Sequence, residues 1–75
     1  MLQVICIAKA RELVEKYVDE CIKKAGAGYV KIHYTDVIAA TRVAPTVAIR
    51  RLREACKERG GEYISGACII YVKQG

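Results

Sequence analysis

Seventy-five residues, 53% apolar and 28% charged with a net charge of +5, exclude a disordered tail and fit one small packed domain. A chain of this size buries only roughly 60–65% of its unfolded surface, so its core must be simple. The longest apolar run is far short of the ~20 residues of a membrane span, and MLQVICIAKA lacks the basic segment of a signal peptide, so a cytoplasmic protein is expected.

Residues 2–7, LQVICI, are short and β-branched and read as a strand or an extended arm, unless the first helix begins within them. From Ala8 the pattern is helical: Ala10, Leu13, Val14, Tyr17, Val18, Cys21, Ile22 and Ala25 recur at spacings of three and four. Glu12–Lys16, Asp19–Lys23 and Glu20–Lys24 place acids four residues ahead of bases on the wet faces. Lys23 and Lys24 suit the negative end of the helix dipole, and Gly26 and Gly28 end the helix. Tyr29–Tyr34 then alternates, with Val30, Ile32 and Tyr34 on one face and Lys31 and His33 on the other. This is the pattern of a half-buried strand. His33, the sole histidine, lacks neighbouring partners for metal or general-base chemistry and reads as a solvent-facing strand residue.

Thr35 is expected to cap a short second helix, Asp36 to Thr41, through its hydroxyl. Arg42-Val43-Ala44 leads to Pro45, which fits a first helical position because its missing N–H would be unpaired there. The third helix runs from Pro45 to about Arg59 and stops at Gly60-Gly61. Ala48, Ile49, Leu52, Ala55 and Cys56 form its apolar stripe, with Thr46, Arg50, Arg53 and Lys57 almost diametrically opposite. A short helix, a tight turn and a helix with a basic outer face compose a helix-turn-helix over residues 35–60. After Gly61, EYISGACIIYV is a hairpin turning at Ser65-Gly66. That turn pairs Ile64 with Ala67, Tyr63 with Cys68 and Glu62 with Ile69. Tyr63, Cys68, Ile70 and Val72 then face the helices, while Glu62, Ile64, Ala67, Ile69, Tyr71 and Lys73 face out.

The cations are unevenly placed. Residues 1–40 hold six Lys/Arg against five Asp/Glu, and residues 41–75 hold seven against three. The positive field therefore lies on the helix-turn-helix half and suits a polyanionic partner, although a basic helix can also serve solubility alone. Asn, Phe and Trp are absent and Gln occurs twice, a depletion of thermolabile amides that points to a thermophilic source.

DVIAAT, the RVAP turn, TVAIRRLREACKERG and the hairpin EYISGACIIYV together resemble the winged-helix superfamily across residues 8–73. The likeness is to small archaeal transcription regulators and, more distantly, to winged-helix proteins of the small ribosomal subunit. It implies an α+β winged helix-turn-helix in the order helix–strand–helix–helix–strand–strand, with a possible extra N-terminal strand and residues 62–73 as the wing. It also implies binding to double-stranded DNA through helix 45–59. Thr46, Arg50 and Val47 are expected at base edges, and Arg42, Arg51, Arg53 and Lys57 on phosphates. The alternative is a protein-interaction or ribonucleoprotein module that meets an acidic partner or structured RNA. Two departures stand out: Ala44 occupies a position where relatives carry a Ser or Thr cap, and the hairpin turn has no Lys or Arg. A homodimer is expected as well, through either the LQVICI arm or the strip Ile64, Ile69 and Tyr71, because one short helix offers few contacts.

Cys6, Cys21, Cys56 and Cys68 contain no C-x-x-C pair, so no zinc site is expected. They read first as small buried thiols; disulfides are the alternative that a hyperthermophilic source would favour. The carboxylate pairs are interleaved with bases along helical surfaces, and no glycine-rich phosphate loop is present. No catalytic site, cofactor or small-molecule substrate is expected.

Overall fold

The computed structural model describes residues 7–72. Its elements are α1 (Ile7–Ala25), β1 (Gly28–His33), α2 (Tyr34–Thr41), α3 (Pro45–Glu58), β2 (Glu62–Ile64) and β3 (Ala67–Val72). The three strands form one antiparallel sheet in the order β1-β3-β2, giving a small α+β structure. The helices lie against one face of this sheet.

The apolar periodicity of α1 buries Ala10, Val14 and Val18, with Tyr17, Cys21 and Ile22 packed at the margin. The helix starts at Ile7, so the last residue of the expected arm is helical; the rest of that arm and the expected outward position of Lys73 lie outside the described residues. β1 contributes Ile32 to the core and Val30 beside it. α2 adds Val37, the connecting turn adds Val43, and α3 adds Ala48, Leu52, Ala55 and Cys56. Cys68 and Ile70 close the core from β3.

The start of α2 differs from expectation. Tyr34 is helical, not the end of the strand, and the cap is His33, not Thr35. His33 keeps extended backbone, and its Nδ1 accepts the Thr35 N–H at 3.3 Å. In return the His33 N–H donates to Asp36 Oδ2 at 3.2 Å. An imidazole with an acceptor nitrogen supplies what a Ser or Asp cap would, and the Thr35 hydroxyl lies 2.8 Å from the same ring nitrogen. The histidine is thus a half-buried structural residue at a strand-to-helix junction.

α3 ends in a Schellman turn. Gly60 takes the left-handed conformation at φ +73° and donates its N–H to Lys57, while the Gly61 N–H reaches the Cys56 carbonyl at 2.8 Å. The chain then returns as the β2–β3 hairpin with the expected register: Glu62 opposite Ile69, Tyr63 opposite Cys68 and Ile64 opposite Ala67. Ser65 and Gly66 both have positive φ, as a two-residue hairpin turn requires. Ala67 lies on the outer face as expected, yet it is buried, because its short side chain sits in the row between His33 and Ile64.

Two long-range ties hold α3. Cys56 and Cys68 form a disulfide with a Cα–Cα distance of 5.8 Å, in place of the buried thiols that the sequence suggests first. Both sulfurs come from inward stripes whose alignment only the folded hairpin reveals. Cys21 is a free thiol. The second tie is a cluster of ion pairs around Arg59, which reaches Asp19 at 2.8 Å, Glu15 at 3.9 Å and Glu58 at 3.7 Å. Arg11 extends it to Glu15 and Glu58. Among the described residues, the expected Glu12–Lys16, Asp19–Lys23 and Glu20–Lys24 pairs do not close; α3 approaches this face of α1, and Arg59 takes Asp19 instead.

Leu52 is wholly buried at the centre of this packing. Leu52→Ala is expected to cost roughly 2–5 kcal/mol by loss of contacts and creation of a cavity. An unchanged melting temperature would show that α3 does not use this stripe as its buried face. Reduction of the Cys56–Cys68 bond, which closes a short loop, is expected to lower stability by about 3 kcal/mol on the loop-entropy account. Chemical denaturation with and without reductant measures this directly, with Cys68→Ala as the control that removes the bond permanently.

Candidate nucleic-acid interface

Around the axis of α3 the charges are sorted by sign. Thr46, Arg50, Arg53 and Lys57 occupy one narrow exposed stripe. The acids of the same helix have their ion-pair partners on its flank: Glu54 pairs with Arg51 at 2.8 Å, and Glu58 with Arg11 and Arg59, in a cleft whose edge they share with Lys57. Arg42, Arg50, Arg53 and Lys57 form no ion pair with any described residue. Arg50 and Arg53 are three residues apart, and Arg53 and Lys57 four, spacings at which like charges destabilise a helix by a few tenths of a kcal/mol per pair.

Two features shape the stripe. The Arg53 guanidinium lies over the Tyr63 ring, 5.5 Å from its centroid, so the side chain is held by a cation–π contact from β2. Arg53, Lys57, Gly61 and Tyr63 line an open cleft between α3 and the start of the hairpin. Burial pushes the Tyr63 phenol above its ordinary range, and the neighbouring Arg53 opposes part of that rise. At the other end, Ala44 gives α3 no side-chain cap. With Pro45 at the first position, the N–H groups of Thr46 and Val47 have no partner within the helix. Arg42, in the turn before α3, is exposed and held in left-handed backbone at φ +61°, and its N–H donates to the Ile38 carbonyl.

The structure therefore leaves Arg42, Thr46, Arg50, Arg53 and Lys57 exposed on the α2–α3 unit, the last four along one stripe of α3. It does not bring Arg51 with them. The Arg51 side chain is only 16% exposed, is bound to Glu54, and shares a cleft with Arg11 of α1. Val47 is half-buried and packs against the core, so only its margin is accessible. Tyr63, a residue expected merely to face the helices, joins the site by holding Arg53. Its only sequence signal was a place on the inward strand face. Arg59 carries no exposed charge to the site; its side chain is 18% exposed, and Asp19 raises its pKa through their hydrogen bond while its own falls.

The hairpin turn is anchored, not projecting. The Gly66 carbonyl accepts the Tyr34 N–H at 2.9 Å, and any Cβ at Gly66 would lie 3.0 Å from the Tyr34 ring. Its tip thus rests on the start of α2 and offers no cation. Among the described residues no cluster of His, Cys, Asp and Glu is arranged to hold a metal ion, and no helix is long and apolar enough to cross a membrane. Comparison of the chain with protein-family models, curated proteins and solved structures found no match.

The left-handed backbone at Arg42 gives a clean handle on this surface. A non-glycine residue there costs about 1–2 kcal/mol, against which glycine's greater freedom in the unfolded chain costs about 0.4–1 kcal/mol. Arg42→Gly should therefore leave thermal stability unchanged or slightly raised while deleting one exposed charge. A fall of several degrees would show that the guanidinium is needed by the fold itself.

Proposed function

We infer that this chain is a winged helix-turn-helix domain that binds double-stranded DNA, with α2 and α3 as the helix pair and α3 entering the major groove. The observation that carries this reading is the uncompensated basic stripe of α3. A helix that keeps its acids paired on its flanks and its cations unpaired on its outer face gives up a little stability for a surface complementary to phosphate. The element order is the one the winged-helix resemblance implies, and an α-helix, about 10–12 Å across with its side chains, fits the width of a major groove.

In this reading Thr46 and Arg50, with the margin of Val47, meet base edges near the start of α3, and Arg50 can fork onto guanine. Arg53 and Lys57 sit on phosphates along the helix, and Arg42 on a phosphate at its beginning, where the free N–H groups of the first turn also favour an anion. Arg51 serves to hold Glu54 away from the stripe. The anchored neutral hairpin contributes little to minor-groove binding, so the domain relies on one helix. A role in transcription regulation follows if Arg50 confers base preference; a general DNA-binding role follows if it does not. Structured RNA fits less well, because the major groove of an A-form duplex is too narrow for side chains on a helix to read.

Gel shifts with duplex DNA and duplex RNA at two salt concentrations test the reading. Arg53→Ala or Lys57→Ala should weaken binding alike on all sequences and shallow the salt dependence by about one phosphate contact. Arg50→Ala should cost about 1–3 kcal/mol on a preferred site and relax base choice. Unchanged duplex affinity after replacing Arg50, Arg53 and Lys57 together would overturn the assignment of this face.

A further inference from the structure

The outer face of the sheet carries a second surface, on the side away from the helices. Strand register sorts its residues into three rows across β1, β3 and β2. Tyr29 lies beside Tyr71 in the first, Lys31, Ile69 and Glu62 make the second, and His33, Ala67 and Ile64 make the third. Tyr29 and Tyr71 are 63% and 69% exposed, with ring centroids 6.3 Å apart, and Ile64 is 53% exposed. These are the large apolar side chains most exposed among the described residues, and all of them share this one face.

We propose that this face pairs with the same face of a second copy of the chain, about a two-fold axis parallel to β3 and lying over it. The charge pattern selects both the partner and the axis. β3 is the central strand, so rotation about an axis along it brings each copy's β1 over the other's β2 and leaves β3 over β3. Lys31 of one copy then lies over Glu62 of the second copy, and Glu62 over Lys31, because both occupy the row centred on Ile69. Ile69 meets Ile69 between these ion pairs, the Tyr71 rings meet at one end, and Ile64 meets His33 at the other. The buried, short Ala67 lets the third row approach closely. A two-fold axis across the strands would set Lys31 on Lys31 and Glu62 on Glu62, placing like charges face to face. Aligned sheets pack about 10 Å apart with strands turned by about 30°, which the long Lys and Glu side chains at the rim can span. The interface thus has an apolar centre and complementary charges at both edges.

This proposal does not rest on DNA binding, since α3 and its stripe lie on the other side of the core. Sedimentation equilibrium of the full chain, without nucleic acid, at tens of micromolar tests it. A dimer is expected. Lys31→Glu and Glu62→Lys each turn two ion pairs into two like-charge contacts and should raise the dissociation constant about tenfold or more. The double variant Lys31→Glu/Glu62→Lys restores complementarity and should bring the constant back towards that of the original chain. Tyr71→Asp, which sets two carboxylates across the axis, should give a monomer. Both charge positions are exposed, so melting temperatures measured at concentrations low enough to leave every variant monomeric should stay near that of the original chain. A monomeric original chain, or single charge variants that dimerise as tightly as it does, would overturn the proposal. If the dimer holds and no duplex binds, the failure belongs to the DNA-binding reading alone.

Discussion

A methyl group at position 61 would lie 2.6 Å from the Ile69 carbonyl oxygen, 2.8 Å from Ile70 and 2.9 Å from the Cys56 sulfur. That close approach is the constraint on which the rest of the structure depends. It lets the chain leave α3, turn through Gly60 and run back beneath the same helix with no intervening loop. The turn also sets Cys56 opposite Cys68 and Tyr63 beneath Arg53. A looser connection would move β2 away from α3 and lose both contacts together. In a core this small, with the wholly buried Leu52 as its central large side chain in α3, packing at the turn decides how α3 is presented.

The ion pairs at the end of α3 complement that turn. They are exposed or half-exposed, so each is worth little alone. Their effect on surface charge is larger than their effect on stability. Arg59 and Arg11 draw Glu58 and Glu15 into one cluster, and Arg51 holds Glu54. The acids of α3 thereby have their ion-pair partners in Arg51, Arg11 and Arg59, and none in Arg53 or Lys57. Salt screening weakens the cluster, while the cations of the outer stripe stay unpaired with any described acid.

Much of this was legible in the sequence because it follows from periodicity. The stripe of α3 and the hairpin register are each fixed by one local repeat, three-to-four or two, and by a turn whose residues admit positive φ. What was not legible depends on residues distant in sequence. Asp19 and Arg59 are forty residues apart, and four-residue spacing within α1 offered nearer partners that the packing of α3 displaced. The Cys56–Cys68 bond required knowing that two inward stripes meet at the same height. His33 was missed for a different reason: strand alternation and helix capping overlap on that residue, and the capping geometry of an imidazole leaves no pattern in spacing. The same limit hid Arg51, whose place on the wheel is intermediate between wet and buried until α1 is set against it.

The core separates two exposed surfaces of unlike chemistry. On the helix side, burial of Ala48, Leu52 and Ala55 obliges the opposite residues of α3 to face water, and there the sequence places cations. On the sheet side, burial of Ile32, Cys68 and Ile70, with Val30 and Tyr63 packed beside them, obliges their strand neighbours to face out, and there it places Tyr29, Tyr71, Ile69 and Ile64. Each outward residue is fixed by an inward neighbour, one turn or one residue away. A substitution on the outer sheet face therefore reaches the basic stripe only by shifting β3 against α3, and the Cys56–Cys68 bond opposes that shift. The two surfaces can consequently differ in partner, and be altered separately, while sharing one layer of buried side chains.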